Sequence, residues 1–360
     1  MLTPEESRKT NCIEEGPLLE AASHLLVAAQ SLGNTRFAWM QRAWCLPTIH
    51  DAMMAMCDME SDPVPMICAM LHETAKTLEK SGPLTIHPAL SEPISPTQGE
   101  NDELLDQHYG VMWKELSTDT FWQQPYEQLF TRLERNEISP KMFAGKRILD
   151  GGCGSGRLAF VLKKLGASEV IGIDVSAFAI ETAERYRAHL DMDAISFMKG
   201  SLLELPFDDQ SFDVIFTMGV LHHTPDWKGG LTELIRVLKP EGEGLLMYLN
   251  ERPGGLFWDL IEIMRALMIG ADFDLVRESL AALGLSGDRI IHILDHVLVP
   301  VNERLTCEEI ETALRSNRIT EYRRFTRGCD RDRLEQVFQG KPFAEVKYGV
   351  GDQRYWFKKS

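Results

Sequence analysis

Arg147-Ile148-Leu149-Asp150-Gly151-Gly152-Cys153-Gly154-Ser155-Gly156 is the stretch on which the fold of this chain turns. It runs a short apolar segment ending in an acid into a glycine-dense turn and then a helix. Gly152 and Gly154 carry no Cβ, so the backbone can bend tightly and a ligand can rest against peptide groups at a helix amino terminus. Asp150, at the strand tip, is placed to receive an ammonium group.

Several kinds of nucleotide site use glycine-rich turns, and spacing separates them. Counting from Gly152, a dinucleotide fingerprint needs a small residue at position 157; this chain has Arg157 there, and its glycine falls one place earlier, at Gly156. No Gly-Lys-Ser/Thr follows, which excludes a P-loop. Asp174 ends the next strand about two dozen residues on, where a carboxylate can accept hydrogen bonds from both ribose hydroxyls of a nucleoside. Capping the helix that begins at Ala177 is the competing role for Asp174, and Ser176 can fill it instead.

Outward from this turn, strands are expected at 147–150, 170–174, 195–199, 212–218 and 244–250, with helices starting near Gly156, Ala177 and Trp227. That alternation predicts right-handed βαβ units and a parallel sheet whose carboxyl ends form the ligand face. Two further helices, at 103–116 and 122–137, lead into it. From residue 17 to about 80 the apolar residues recur at helical spacing, as in Leu18, Ala22, Leu25 and Leu26. The stretch 81–98, with Pro83, Pro88, Pro93 and Pro96, reads as a linker. Residues 343–360 read as a closing antiparallel hairpin around Gly351-Asp352. The expected layout is a helical region with its linker (1–100), a ligand-binding core (101–250), a mainly helical cap insertion (251–341) and the hairpin (342–360).

The resemblance becomes specific once the segments are taken together: Asp150-x-Gly152-Cys153-Gly154-x-Gly156, Gly172-Ile173-Asp174-Val175-Ser176, Leu205-Pro206-Phe207, Ser211-Phe212-Asp213-Val214-Ile215, Gly219-Val220-Leu221-His222-His223 and Arg236-Val237-Leu238-Lys239-Pro240. Over residues 145–250 the chain resembles the class I S-adenosylmethionine-dependent methyltransferases, in their UbiE-like or type 11 branch. The resemblance implies a Rossmann-like α/β fold with a seven-stranded, mainly parallel sheet, the cap lying before its last two strands. It also implies in-line methyl transfer from S-adenosylmethionine to a small-molecule acceptor, leaving S-adenosylhomocysteine.

Position by position, the resemblance implies that Asp150, Gly152 and Gly154, with Gly156, hold the methionine end and Asp174 the ribose. Val175 would flank the adenine, and Met218 and Gly219 would stand beside the transferring methyl. Many relatives carry Gly-Asp before the third-strand loop, whereas this chain reads Gly200-Ser201-Leu202. Ser201 therefore offers the adenine a shorter, uncharged group, and Leu202 a backbone N–H. His222 and His223 sit where relatives meet substrate, and a neutral imidazole there suits a base that takes a proton from a hydroxyl or ammonium acceptor. The pair fits a loop-shaping role as well. Tyr109 and Trp113 lie in a region that folds over the cofactor in similar enzymes, and core packing accounts for them equally.

Composition bounds the rest. The 360 residues carry a formal charge of -16, which disfavours nucleic acid as a partner. No apolar run of about 18 residues could span a bilayer, and no signal core follows the charged amino terminus. Seven scattered cysteines (Cys12, Cys45, Cys57, Cys68, Cys153, Cys307 and Cys329), with no CxxC pair, fit reduced thiols and a cytoplasmic location. The amino-terminal helices could mediate homo-oligomer assembly.

Arg323, Arg324 and Arg327 lie in an arginine-rich, lysine-free stretch that suits an anionic substrate group or, with Glu321, Asp330 and Asp332 interspersed, an internally paired solvated face. His292 and His296 have helical metal spacing without an evident third ligand, so no metal is expected. The apolar segment 255–270 suits core packing first, and otherwise a substrate pocket or a membrane surface. Three alternatives stay open at this level: a carbon methyltransferase acting on an apolar, quinone-like acceptor, a nonenzymatic nucleoside-binding module and a nicotinamide oxidoreductase, the last opposed by Arg157.

Overall fold

The computed structural model describes residues 16–83, 118–190 and 192–360, with side chains left aside at 118–122, 288 and 291. Tyr109, Trp113, the helix expected at 103–116 and most of the Pro-rich stretch lie outside the described residues. The chain opens with α1 (Pro17–Ser31), α2 (Arg36–Ala43), α3 (Cys45–Cys57) and α4 (Val64–Ser81). After α5 (Thr118–Arg135) come β1 (Arg147–Gly151), α6 (Arg157–Lys164), β2 (Glu169–Asp174), α7 (Ala177–Leu190), β3 (Ile195–Lys199), β4 (Phe212–Met218), α8 (Trp227–Val237) and β5 (Leu238–Leu249). The remainder is α9 (Gly255–Leu267), α10 (Phe273–Ala282), α11 (Gly287–Val297), α12 (Cys307–Ser316), β6 (Glu321–Arg324), α13 (Arg333–Phe338), α14 (Ala344–Tyr348) and β7 (Gln353–Lys358).

These elements form two compact units. The first gathers the amino-terminal helices with Pro253–Val299 and Gly340–Gly349. In it α1 turns Leu18, Ala21, Ala22, Leu25, Ala28 and Ala29 inward and lies along α4. Thr35 caps α2 by accepting the Ala38 N–H at 3.2 Å. α9 is buried almost all round, from Leu256 to Leu267, and packs on α1, α3, α11 and α14. Its burial takes in even Asp259, so the segment 255–267 is a central packing element of this unit. Among the described residues no helix is long and apolar enough to cross a membrane.

The second unit holds the sheet, in the order β3-β2-β1-β4-β5-β7-β6. The first five strands run parallel, and β7 lies antiparallel between β5 and β6. Side chains alternate between two buried layers. Val170, Val214, Phe216, Leu245 and Met247 face one layer with Leu129 and Leu133 of α5 and Phe160 of α6. Leu149, Ile171, Ile215, Leu246 and Tyr355 face the other, with Leu231 and Leu234 of α8 and Ile310 and Leu314 of α12. Chain order reverses at β1, so the tips of β1 and β4 diverge and leave a crevice at the carboxyl ends.

Two expectations are corrected. Residues 343–360 are not a hairpin: Ala344–Tyr348 is helix α14, and β7 pairs with β6, some thirty residues upstream, and with β5. Gly349, at φ +56°, follows α14 where a Cβ would stand 2.1 Å from the Pro253 carbonyl oxygen. Gly351 lies so close to Leu334 that a Cβ would stand 2.5 Å from its Cα. The Gly351-Asp352 pair therefore serves close backbone approach rather than a two-residue turn. The expected cap at 251–341 is likewise not one body, because 253–299 joins the helical unit while 300–339 joins the sheet unit.

Candidate functional site

A cleft partly open to solvent lies at the carboxyl ends of β1, β2 and β4. Its wall includes Gly152, Gly154, Asp174, Val175, Ser201, Leu202, Met218, Gly219 and His223 of the residues selected from sequence. Asp150, Gly156 and His222 do not line it, nor do Arg323, Arg324 and Arg327.

The glycine turn is shaped for close approach. Gly152 sits at φ +74°, and a Cβ on it would stand 2.3 Å from Val220 Cγ2. Gly156, at φ +82°, begins α6 under Phe197, whose ring carbon would lie 2.6 Å from an added Cβ. Its lack of a side chain thus serves the packing of α6 on the sheet. Asp174 takes the Gly154 N–H on Oδ2 and the Ser176 N–H on Oδ1, at 2.8 and 2.9 Å. A carboxylate accepts hydrogen bonds only, through about four lone-pair sites, the chemistry that ribose hydroxyls require. The cap of α7 is Ser176, whose Oγ accepts the Ala179 N–H at 3.1 Å.

Beneath the turn Asp150 is 1% exposed, and its Oδ2 has no hydrogen-bond partner among the described residues; the same holds for Ser155 Oγ. Burial first, then the charge of Asp174, pushes the Asp150 carboxyl up to about 7, against the pull of the Ala159 N–H. A buried unsatisfied carboxylate oxygen is costly, and a cation above the glycine turn would satisfy it. The residues present therefore fit a nucleoside bearing an amino-acid ammonium: Asp174 for the ribose, the turn and Asp150 for the methionine end.

Ser201 Oγ accepts the Leu203 N–H at 3.2 Å, which leaves its hydroxyl hydrogen to donate. Leu202, Leu203, Val220 and Pro225 make this wall apolar. The two histidines separate: His222 is 1% exposed, whereas His223 reaches the cleft with its Nδ1 2.8 Å from the Val301 carbonyl oxygen. Both lie on a short 3-10 turn, Leu221–His223, with their ring centroids 4.1 Å apart. Arg327 is committed to Glu335 at 3.0 and 2.7 Å, Arg324 donates to the Val350 carbonyl, and Arg323 lies 5.1 Å over the Trp356 ring. Ile173, Leu203, Val220, Thr224 and Pro225 also line the cleft and were not singled out from sequence. Their only signal there is that each adjoins a motif at a strand tip.

Residues 143–275 match a family model described as a methyltransferase domain. The chain is 35% identical to the 27-O-demethylrifamycin SV methyltransferase of Amycolatopsis mediterranei over 162 residues, 43% of this chain and 58% of that one. Against an O-methyltransferase of Aspergillus nomiae it is 30% identical over 158 residues, 41% of this chain and 70% of the relative. A sterol 24-C-methyltransferase of Aspergillus fumigatus is 36% identical over 99 residues, 27% of this chain and 26% of the relative. The chain thus spans little more than half the length of the first relative and about a quarter of the last.

Proposed function

The chain belongs to the class I S-adenosylmethionine-dependent methyltransferases, and from that premise we propose that it methylates an oxygen or nitrogen of a small-molecule acceptor, with His223 as the proton acceptor. The cofactor supplies an electrophilic methyl when bound; the protein's part is to align a nucleophile with it, exclude water and remove a proton. One observation carries the reading: His223 shares the cleft wall with Met218 and Gly219 and has its ring fixed from behind. A carbonyl oxygen only accepts, so Nδ1 is the protonated nitrogen and Nε2 is the accepting atom of the neutral ring. His222, buried below, orients the turn rather than touching substrate. The acidic charge of the chain argues for a small acceptor over nucleic acid.

The test is incubation with methyl-labelled S-adenosylmethionine and a cell extract, isolation of the labelled product, and kinetics on its unmethylated form. His223→Asn keeps a donor to Val301 and removes the base; kcat should fall by about a hundredfold or more, while S-adenosylhomocysteine binds as before. An unchanged kcat would remove His223 from the mechanism. A second reading, methylation at carbon of an apolar acceptor, is favoured by the apolar Leu202, Leu203, Val220 and Pro225 wall. Carbon NMR of the labelled product separates the two by the shift of the new methyl.

A further inference from the structure

The cleft divides at Asp174. In the sheet β2 stands between β1 and β3, with Ile173 paired to Gly151 on one side and Asp174 to Lys199 on the other. The glycine turn and the buried Asp150 carboxyl therefore lie to one side of the β2 tip, and the chain leaving β3 lies to the other. Gly200 is tied to that tip, its N–H donating to the Asp174 carbonyl at 2.9 Å. A nucleoside that sets its ribose on Asp174 and its amino-acid ammonium over Asp150 must carry its base to the β3 side.

That half of the cleft is lined by Val175, Ala179, Leu202 and Leu203, apolar surfaces suited to the faces of a purine, and by the polar side chain of Ser201. Asp174 is the only carboxylate among the described residues that line the cleft, and in this placement the ribose takes it. Glu204, next along the loop, is exposed and does not line the cleft. Side-chain recognition of the polar edge of the base therefore falls to Ser201.

The Leu203 N–H, 3.2 Å from Ser201 Oγ, holds the hydroxyl in place and uses one of its two lone pairs. One lone pair and the hydrogen remain, so the group can either accept or donate towards the base. A carboxylate at the same position could only accept. Leu203 is 37% exposed, so the cleft opens to solvent beside Ser201, where a substituent on the base can project.

We propose that Ser201 reads position 6 of the purine without discriminating donor from acceptor there. The ligand class is accordingly wider than adenine nucleosides: S-nucleosyl amino acids carrying an oxygen acceptor at position 6 bind as well as those carrying the amino group. The inference concerns the methyl donor and its product, so it is independent of His223 and of the atom that is methylated.

The experiment is calorimetric titration of the full chain with S-adenosylhomocysteine and with its 6-methoxypurine counterpart. The second probe leaves the ring nitrogens unprotonated, as in adenine, and changes only position 6 from a donor to an acceptor. The wild type should bind the two within about threefold of each other, since either makes one neutral hydrogen bond. Ser201→Asp can still accept the Leu203 N–H but faces the methoxy oxygen with a group that cannot donate; it should prefer the adenosyl ligand by about thirtyfold or more. Ser201→Asn, the same size with a donor restored, should return the ratio to near that of the wild type. A merely structural role for Ser201 would weaken both ligands alike and leave the ratio unchanged in Ser201→Asp, which overturns the proposal. A wild type that itself prefers the adenosyl ligand thirtyfold overturns it without any variant, and one that binds neither removes the nucleoside from this cleft.

Discussion

At Asp150 the protein keeps a carboxyl group half-protonated near neutral pH, because it is buried and faces the charge of Asp174. An ammonium placed against Oδ2 would draw it back to the ionised form, so ligand binding and proton release are linked. Calorimetric titration with S-adenosylhomocysteine at pH 6 to 7, in buffers of different ionisation enthalpy, should show a proton released on binding. The release should fade above pH 8 and vanish in Asp150→Asn, whose affinity should be about tenfold lower. Binding without proton release at pH 6 would mean that the ammonium does not reach this carboxylate. That Gly152, Gly154 and Asp174 line the cleft could be read from spacing alone, since the chain turns there and the next strand ends in an acid. The division between His222 and His223 could not, because it depends on a carbonyl at Val301, far along the chain. Nor could Val220 or Pro225, whose place on the wall arises where separate strand tips meet in space.

At the scale of the element, the β1-turn-α6 unit makes a sharper demand than the number of glycines suggests. Gly145 and Gly152 both have positive φ, +71° and +74°, but only Gly152 is crowded: a Cβ on Gly145 meets nothing within 4 Å. Alanine at either site should cost about 1–2 kcal/mol in backbone strain. Gly152→Ala should in addition displace Val220 in the cleft and abolish tight S-adenosylhomocysteine binding, whereas Gly145→Ala should bind normally. Thermal melts and calorimetry on the pair check this, and equal affinities would show that the turn tolerates a side chain under the ligand. β1, β2 and β4 were legible because each is a compact run buried along almost its whole length. β6 was not: Glu321–Arg324 spells Glu-Tyr-Arg-Arg, only partly buried, and its arginines read as a charged surface. Without β6 in view, β7 had no visible partner except the residues just before it, and the false hairpin followed.

Across the whole molecule, the two units should answer acid in opposite directions. In the helical unit His50, 6% exposed, has both ring nitrogens without a hydrogen-bond partner among the described residues, and its ring lies 5.1 Å from that of His292, itself 5.1 Å from that of His296. Burial, then the neighbouring His296 and His50, lowers His292 to about 4; burial and Arg289 lower His50, with Asp51 opposing. Unfolded, these rings would bind protons near pH 6.5, so the unfolded chain gains protons first and the unit loses stability as pH falls from 6.5 towards 4. Asp150 has the contrary sign. Its folded value near 7 lies above the unfolded one of 3.8, so the folded sheet unit binds the extra proton and is stabilised over the same range. Burial raises Glu335, but Arg327, Gln339 and the Gly328 N–H outweigh it and hold it at about 2, so its contribution persists until well below pH 4. Between pH 7 and pH 5, hydrogen exchange should therefore quicken in α3 and α11 while the β1, β2 and β4 amides hold or slow. His50→Phe should flatten the response of the helical unit, because it removes a proton site that only the unfolded chain fills. Parallel loss of protection in both units would refute the opposition, and a pH response surviving in His50→Phe and His292→Gln together would remove the histidines as its cause.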